Sequence, residues 1–175
     1  MDRARRDDPA ALDALLAAYW RPLVRYARGF VESRDAAEDV VQESFIAVWD
    51  RRLEWRAGSL AGLLYRATRN RALNERRRER VRREWRIVAP VDEAPSPWQT
   101  LQDRELGECL ERAIEALPPR RREIFLLARV DGLVYREIAE VLGISAQTVA
   151  NQMSAALAEL RRALSAAVGR SAEAD

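Results

Sequence analysis

The sequence predicts an all-α protein built as two small helical domains joined by a proline-rich linker. Three observations carry that expectation. Apolar residues recur at three- and four-residue spacing along most of the chain, the period of an amphipathic helix. Pro90, Pro95 and Pro97 fall together between Ile87 and Thr100, where they favour an extended connection. On either side lies a stretch suited to nucleic acid, an arginine-rich helix before the linker and two helices at a tight turn after it.

The first helix is expected to start at Asp8-Pro9, a capping side chain followed by proline at the first helical position. Leu12, Leu15, Leu16, Tyr19, Leu23, Val24, Ala27 and Phe30 give it one apolar side, and Gly29 marks its end. Pro22 lies inside the pattern and predicts a kink or a split. A second helix, Asp35 to Asp50, is expected to be capped by Asp35 with Glu38 completing a capping box. Ala37, Val41, Ser44, Phe45 and Val48 share one face, and Asp39, Gln42, Glu43 and Asp50 make the other acidic.

The pattern breaks over Arg51 to Leu60, a loop with Trp55 flanked by Arg52 and Arg56. Ser59 can cap the long helix that follows, from about Leu60 to Arg86, with a core stripe of Leu63, Leu64, Ala67 and Leu73. From Arg66 onward that helix carries ten arginines against Glu75, Glu79 and Glu84. Repulsion of this density calls for an anionic partner. Nucleic acid suits it, because neutralised phosphates release counterions, and this half has no apolar face for a membrane.

Beyond the linker, helices are expected at Leu101 to Leu117, stopped by Pro118-Pro119, and from Arg120 to Asp131-Gly132 with Ile124, Phe125, Leu127 and Ala128 inward. In the segment Asp131 to Leu160, Val134, Ile138 and Leu142 sit at helical spacing, and Gly143 ends that helix. Ile144 plugs the corner and Ser145 caps a helix with Val149, Met153, Ala156, Leu157 and Leu160 on one face. Gln147, Thr148, Asn151 and Gln152 form the opposite face, rich in amides and free of acid. An ordinary helical hairpin has the same spacing; the amide face favours a helix-turn-helix with a recognition helix for a major groove.

Composition removes several function classes. At 175 residues and 48% hydrophobic content the chain can bury one or two small cores. A single cysteine, Cys109, excludes an intramolecular disulfide, and the absence of histidine excludes His-based metal sites and Ser–His or Cys–His catalysis. Asp39 and Glu43 have no companion ligands for a metal, so neither an enzyme nor a cofactor is expected. Apolar runs are too short to cross a bilayer and the opening residues lead into no signal-peptide core, which predicts a cytoplasmic protein without membrane insertion. The net charge is only +2, yet all 30 basic residues are arginine, whose planar forks bind phosphates bidentately and stack on bases.

Two stretches resemble a known family. DAAEDVVQESF at Asp35–Phe45 and LPPRRREIFLLARVDGLVYREIAEVLGISAQTVANQMSAAL at Leu117–Leu157 are similar to the sigma-70 family of sigma factors, in the compact extracytoplasmic-function group. The resemblance covers nearly the whole chain and implies domains over 8–86 and 101–168 with a linker at 87–100. It implies that Asp39, Gln42 and Glu43 dock on core RNA polymerase. It also implies that Arg52, Trp55, Arg56, Arg66, Arg69, Asn70 and Asn74 engage the downstream (−10) promoter element and its opened strand, with Trp55 and Arg56 stacking. For the upstream (−35) element in duplex form the expected readers are Arg136, Ser145, Gln147, Thr148, Asn151 and Gln152.

The match has departures. Tyr135 stands where a small hydroxyl cap is usual, and Ala150 and Ala155 where basic residues are frequent; Arg120, Arg121, Arg122 and Arg136 are the expected substitutes. The tail after Leu164 is too short for an appended sensory domain, which points to control by a separate protein such as an anti-sigma factor. The alternative reading is a stand-alone helix-turn-helix regulator that never binds polymerase; the acidic helix and the arginine helix argue against it.

Overall fold

The computed structural model describes residues 9–55, 59–83 and 104–172. Every regular element among them is helical: α1 (Pro9–Arg28), α2 (Arg34–Asp50), a 3-10 turn at Arg52–Glu54, α3 (Leu60–Arg83), α4 (Arg104–Glu115), α5 (Pro119–Arg129), α6 (Tyr135–Leu142) and α7 (Ala146–Ala172). The chain divides into two compact units, α1 to α3 in the first and α4, α5 and α7 in the second, with α6 held to α5 and α7 by short turns. Asp8, Arg56, residues 84–86 and the linker 87–100 lie outside the described residues.

In the first unit α2 packs against both α1 and α3. Its core is aromatic and small together: Leu23, Tyr26 and Ala27 from α1, Ala37, Val41, Phe45 and Val48 from α2, and Leu64, Tyr65 and Ala72 from α3. Rings meet across it, Trp20 stacked on Phe45 at 6.2 Å and Tyr26 against Tyr65 at 5.2 Å, offset and tilted contacts that suit the ring quadrupole. The expected apolar face of α2 is the buried one, with Val40 added.

Three expectations are corrected here. Pro22 does not split α1, which runs unbroken through it. Its ring removes the bond to the residue-18 carbonyl, but Ala18 is exposed, where water can take that carbonyl. The cap of α2 is Ser33, not Asp35: its Oγ accepts from the Ala36 N–H at 3.0 Å, and Glu38 pairs with the Arg34 guanidinium at 2.7 Å instead of closing a capping box. The buried stripe of α3 is Leu64, Tyr65, Thr68 and Ala72, while Leu63 is 39% exposed. That row follows the four-residue spacing from Leu64, with a threonine in an apolar position. Ser59 caps α3 as expected, accepting from the Gly62 N–H at 3.1 Å.

In the second unit α4 and α5 both pack on α7. Pro119 opens α5 at its first position, where a missing N–H costs nothing. Gly132, at φ +70°, lets the Leu133 N–H reach back to the Leu127 carbonyl at 2.9 Å and close the end of α5. Leu133, Ile138, Val149, Met153, Ala156 and Leu160 then fill the core, whereas Val134 is 60% exposed. Val134 is the residue that flanks α6, so the cap falls one position before Tyr135. A valine has no acceptor; the Glu137 carboxylate instead takes the Val134 N–H at 2.8 Å, one arm of a capping box. α7 continues to Ala172, past the expected boundary at 168.

The cap register is testable by urea unfolding followed by tryptophan fluorescence, since the tryptophans among the described residues, Trp20, Trp49 and Trp55, all lie in the first unit. Ser33→Ala should destabilise that unit by about 1 kcal/mol. Asp35→Ala should cost less than half as much, and equal losses would return the cap to Asp35.

Candidate nucleic-acid interfaces

The first candidate interface is built by α2, α3 and the turn between them. On α3, Arg66, Asn70 and Asn74 are exposed and follow each other at four-residue intervals, so they form one row along the helix; Arg69 flanks it, half-buried. Arg76, Arg77 and Arg78 extend the exposed positive surface. On α2, Asp39, Gln42 and Glu43 are all exposed. Asp39 and Glu43 line one groove with Asn70, Arg71, Asn74 and Arg78, a cleft of about 530 Å³ between the two helices, and Gln42 lies outside it. Glu43 ion-pairs across the cleft with Arg71 at 3.5 Å. The sequence reading left Arg71 among ten similar arginines, and nothing in its spacing singled it out.

Trp55 does not belong to that surface. It is 5% exposed, its indole N–H donates to the Val48 carbonyl at 3.0 Å, and its ring meets Trp49 edge-on at 6.2 Å. A face so covered cannot stack on a base, so the expected stacking role is replaced by a packing one. Arg52 is likewise turned inward, donating to the Trp49 carbonyl at 3.3 Å with its guanidinium 5.4 Å from the centre of the Trp49 ring.

The second candidate interface is the α6–α7 corner. Gly143 at φ +65° ends α6, and the Ile144 N–H bonds back to the Ala139 carbonyl at 3.1 Å. Ser145 caps α7 by accepting from the Thr148 N–H at 3.0 Å, as expected. Gln147, Thr148 and Asn151 are exposed along the outer side of α7, and Arg136 is exposed at the start of α6. Gln147 donates to the Asn151 oxygen at 3.0 Å, a bond in which the Gln147 oxygen and the Asn151 NH₂ group take no part; an acceptor and a donor are what an adenine edge pairs with. Gln152 is half-buried and its oxygen accepts from the Arg121 guanidinium at 3.1 Å.

Arg120, Arg121 and Arg122, expected to anchor phosphates, make bonds within the unit. Arg120 pairs with Glu123 at 3.2 Å, Arg121 with Gln152 and Glu159, and Arg122 with the carbonyls of Glu115 and Leu117. Among the described residues no cluster of His, Cys, Asp and Glu is placed to hold a metal, and no helix is long and apolar enough to cross a membrane.

Each of the two units contains a match to a known family model. Residues 15–82 match the family model for sigma-70 region 2, and residues 107–160 match that for sigma-70 region 4. The ECF RNA polymerase sigma-E factor of Salmonella typhimurium is 30% identical over 166 residues, covering 87% of this chain and 86% of that protein. This chain belongs to the sigma-70 family, in its ECF group. The ECF sigma factor SigE of Mycolicibacterium smegmatis is 34% identical over 88% of the sigma factor described above; the match spans 63% of that longer protein. Two solved structures share the fold. The sigma factor RpoE of Bartonella quintana, in complex with the anti-sigma factor NepR, has a TM-score of 0.62 at 23% identity over 87% of this chain and 95% of that one. CnrH, in complex with the cytosolic domain of CnrY, has a TM-score of 0.64 at 24% identity over 94% of both.

The packing role of Trp55 gives a direct test. Trp55→Ala should destabilise the first half of the sigma factor by about 3–5 kcal/mol, as for other buried aromatic truncations. Trp55→Phe keeps most of the apolar volume and should retain the fold with a smaller loss. Urea unfolding monitored by circular dichroism distinguishes this from an exposed base-stacking residue, for which both variants would unfold like the wild type.

Proposed function

We propose that this sigma factor binds core RNA polymerase in the cytoplasm and directs it to promoters, with the polymerase supplying all covalent chemistry. The observation that carries the reading is the presence of both sigma regions, in order, on one chain, each with its own exposed polar surface. The acidic side of α2, with Asp39, Gln42 and Glu43, is assigned to polymerase docking. The row Arg66, Asn70 and Asn74, with Arg69 beside it, is assigned to the opened strand of the downstream element. Guanidinium and amide groups on one side of a helix can bond bases and backbone that duplex pairing no longer occupies.

For the upstream element the assigned surface is the N-terminal half of α7. Recognition helices of this type present their first turns to base edges. Ser145 and Thr148 are suited to phosphate or base contacts there, and the Gln147–Asn151 pair to an adenine. Arg136 at the start of α6 supplies positive charge to the same side. An anti-sigma factor is a further partner in this reading, by analogy with the complex of the Bartonella quintana sigma factor RpoE with the anti-sigma factor NepR.

The experiment is promoter-dependent transcription with purified core polymerase, with and without the protein. Asp39→Arg combined with Glu43→Arg turns an acidic docking surface basic. This double variant should lose core binding and promoter-dependent transcripts while the chain still binds duplex DNA, since distant surface sites act nearly independently. A double variant that co-purifies with core polymerase as well as the wild type removes the docking assignment and favours the stand-alone regulator.

A further inference from the structure

The α5–α7 contact contains an arrangement that the promoter-reading role does not by itself explain. Arg121, on α5, is mostly buried and reaches across to α7, where its Nε donates to the Gln152 Oε1 at 3.1 Å and its Nη1 pairs with Glu159. Glu159 lies seven residues beyond Gln152, so the two stand nearly in line on the helix, and the guanidinium fork spans them. Gln152 itself continues the row of Ser145 and Thr148, at spacings of seven and four residues, and both of those are exposed. Side chains on a helix lean toward its N-terminus, which carries Gln152 toward the end of α7 assigned to the groove.

The chemistry of the clamp is one-sided. An arginine has five N–H donors and no acceptor, so the amide atom facing Arg121 must be the oxygen. That oxygen has a second lone pair, but with the first held on a charged donor of α5 the amide is fixed with its oxygen toward Arg121, and the NH₂ group is the end left to offer to a base. A free glutamine pairs with adenine through both ends, accepting from N6 and donating to N7. A glutamine that can only donate instead matches guanine, whose major-groove edge carries two acceptors, O6 and N7, and no donor.

We propose that Arg121 is a specificity-determining positioning residue: by holding the Gln152 oxygen it converts an adenine-reading side chain into a guanine-reading one. The inference rests on the duplex-reading role of α7 proposed above. It gives neighbouring amides of the same helix different preferences, adenine for the Gln147–Asn151 pair and guanine for Gln152.

Selection of binding sites from a random duplex pool by the full chain tests it, with wild type, Gln152→Ala, Arg121→Met, Arg121→Gln and Arg121→Lys. Wild type should prefer guanine over adenine about fivefold at one position, the low end of base discrimination in the major groove, and Gln152→Ala should lose the preference at that position alone. Arg121→Met should shift the same position toward adenine and leave the others unchanged. Arg121→Gln can bond either end of Gln152 and no longer fixes which end is held, so it should weaken the guanine preference even if Arg121→Met does not fold. Arg121→Lys still offers only donors and should keep guanine. Guanine preference that survives both Arg121→Met and Arg121→Gln overturns the clamp while leaving the promoter-reading role intact. A wild-type chain that selects no sequence overturns both.

Discussion

A guanidinium cannot shed its charge at any pH a cell reaches, and this chain has no lysine or histidine with which to share the work. Each arginine therefore has to meet an anion, a carbonyl, a ring or water. The fold divides them by that need. Arg34, Arg51 and Arg120 settle on carboxylates within one turn of their own helix or loop. Arg122 ties the start of α5 to the carbonyls just before it, and Arg52 lies over a tryptophan. Exposed pairs of this kind contribute little to stability, so their value lies in fixing geometry. Arg66, Arg76 and Arg77 stand exposed along α3, on the surface for which a polyanion is proposed.

Much of the fold was legible because local chemistry and tertiary need agreed. Gly143 and Ser145 mark the corner of α6 and α7 by backbone freedom and capping, and both act as the sequence suggested. The inward face of α2 was equally plain, since five residues of the expected face are buried. The misreadings fall where a residue type has two plausible fates. Trp55 can present an aromatic face or bury it with one hydrogen bond, and only the position of the Val48 carbonyl decides. Ser33 and Asp35 are both good caps, and the choice depends on where the chain turns into the helix. Thr68 is absent from the expected stripe of α3, yet it is fully buried.

The candidate sites were legible as faces and not as constellations. Spacing placed Asp39 with Glu43 and Asn70 with Asn74, but it could not bring the two pairs into one cleft. That takes the antiparallel packing of two helices joined by a loop. The consequence is that the surface assigned to the polymerase and the one assigned to the opened strand adjoin along a line of charge reversal, bridged by the Glu43–Arg71 pair. The second unit has the same property on a smaller scale: Arg121 is remote in sequence from the helix whose amide it holds, so no motif reading of α7 alone could include it.

The two glycines that flank α6, at φ +70° and +65°, have open space where a side chain would begin. Their restriction is one of handedness and not of volume. A Cβ would meet no wall there, only the roughly 1–2 kcal/mol that an L-amino acid loses in a left-handed backbone. Sequence drift at Gly132 and Gly143 should thus be filtered by chirality: asparagine, which tolerates that torsion best, is the substitution these corners would admit first, while alanine, though smaller, would be the worse replacement.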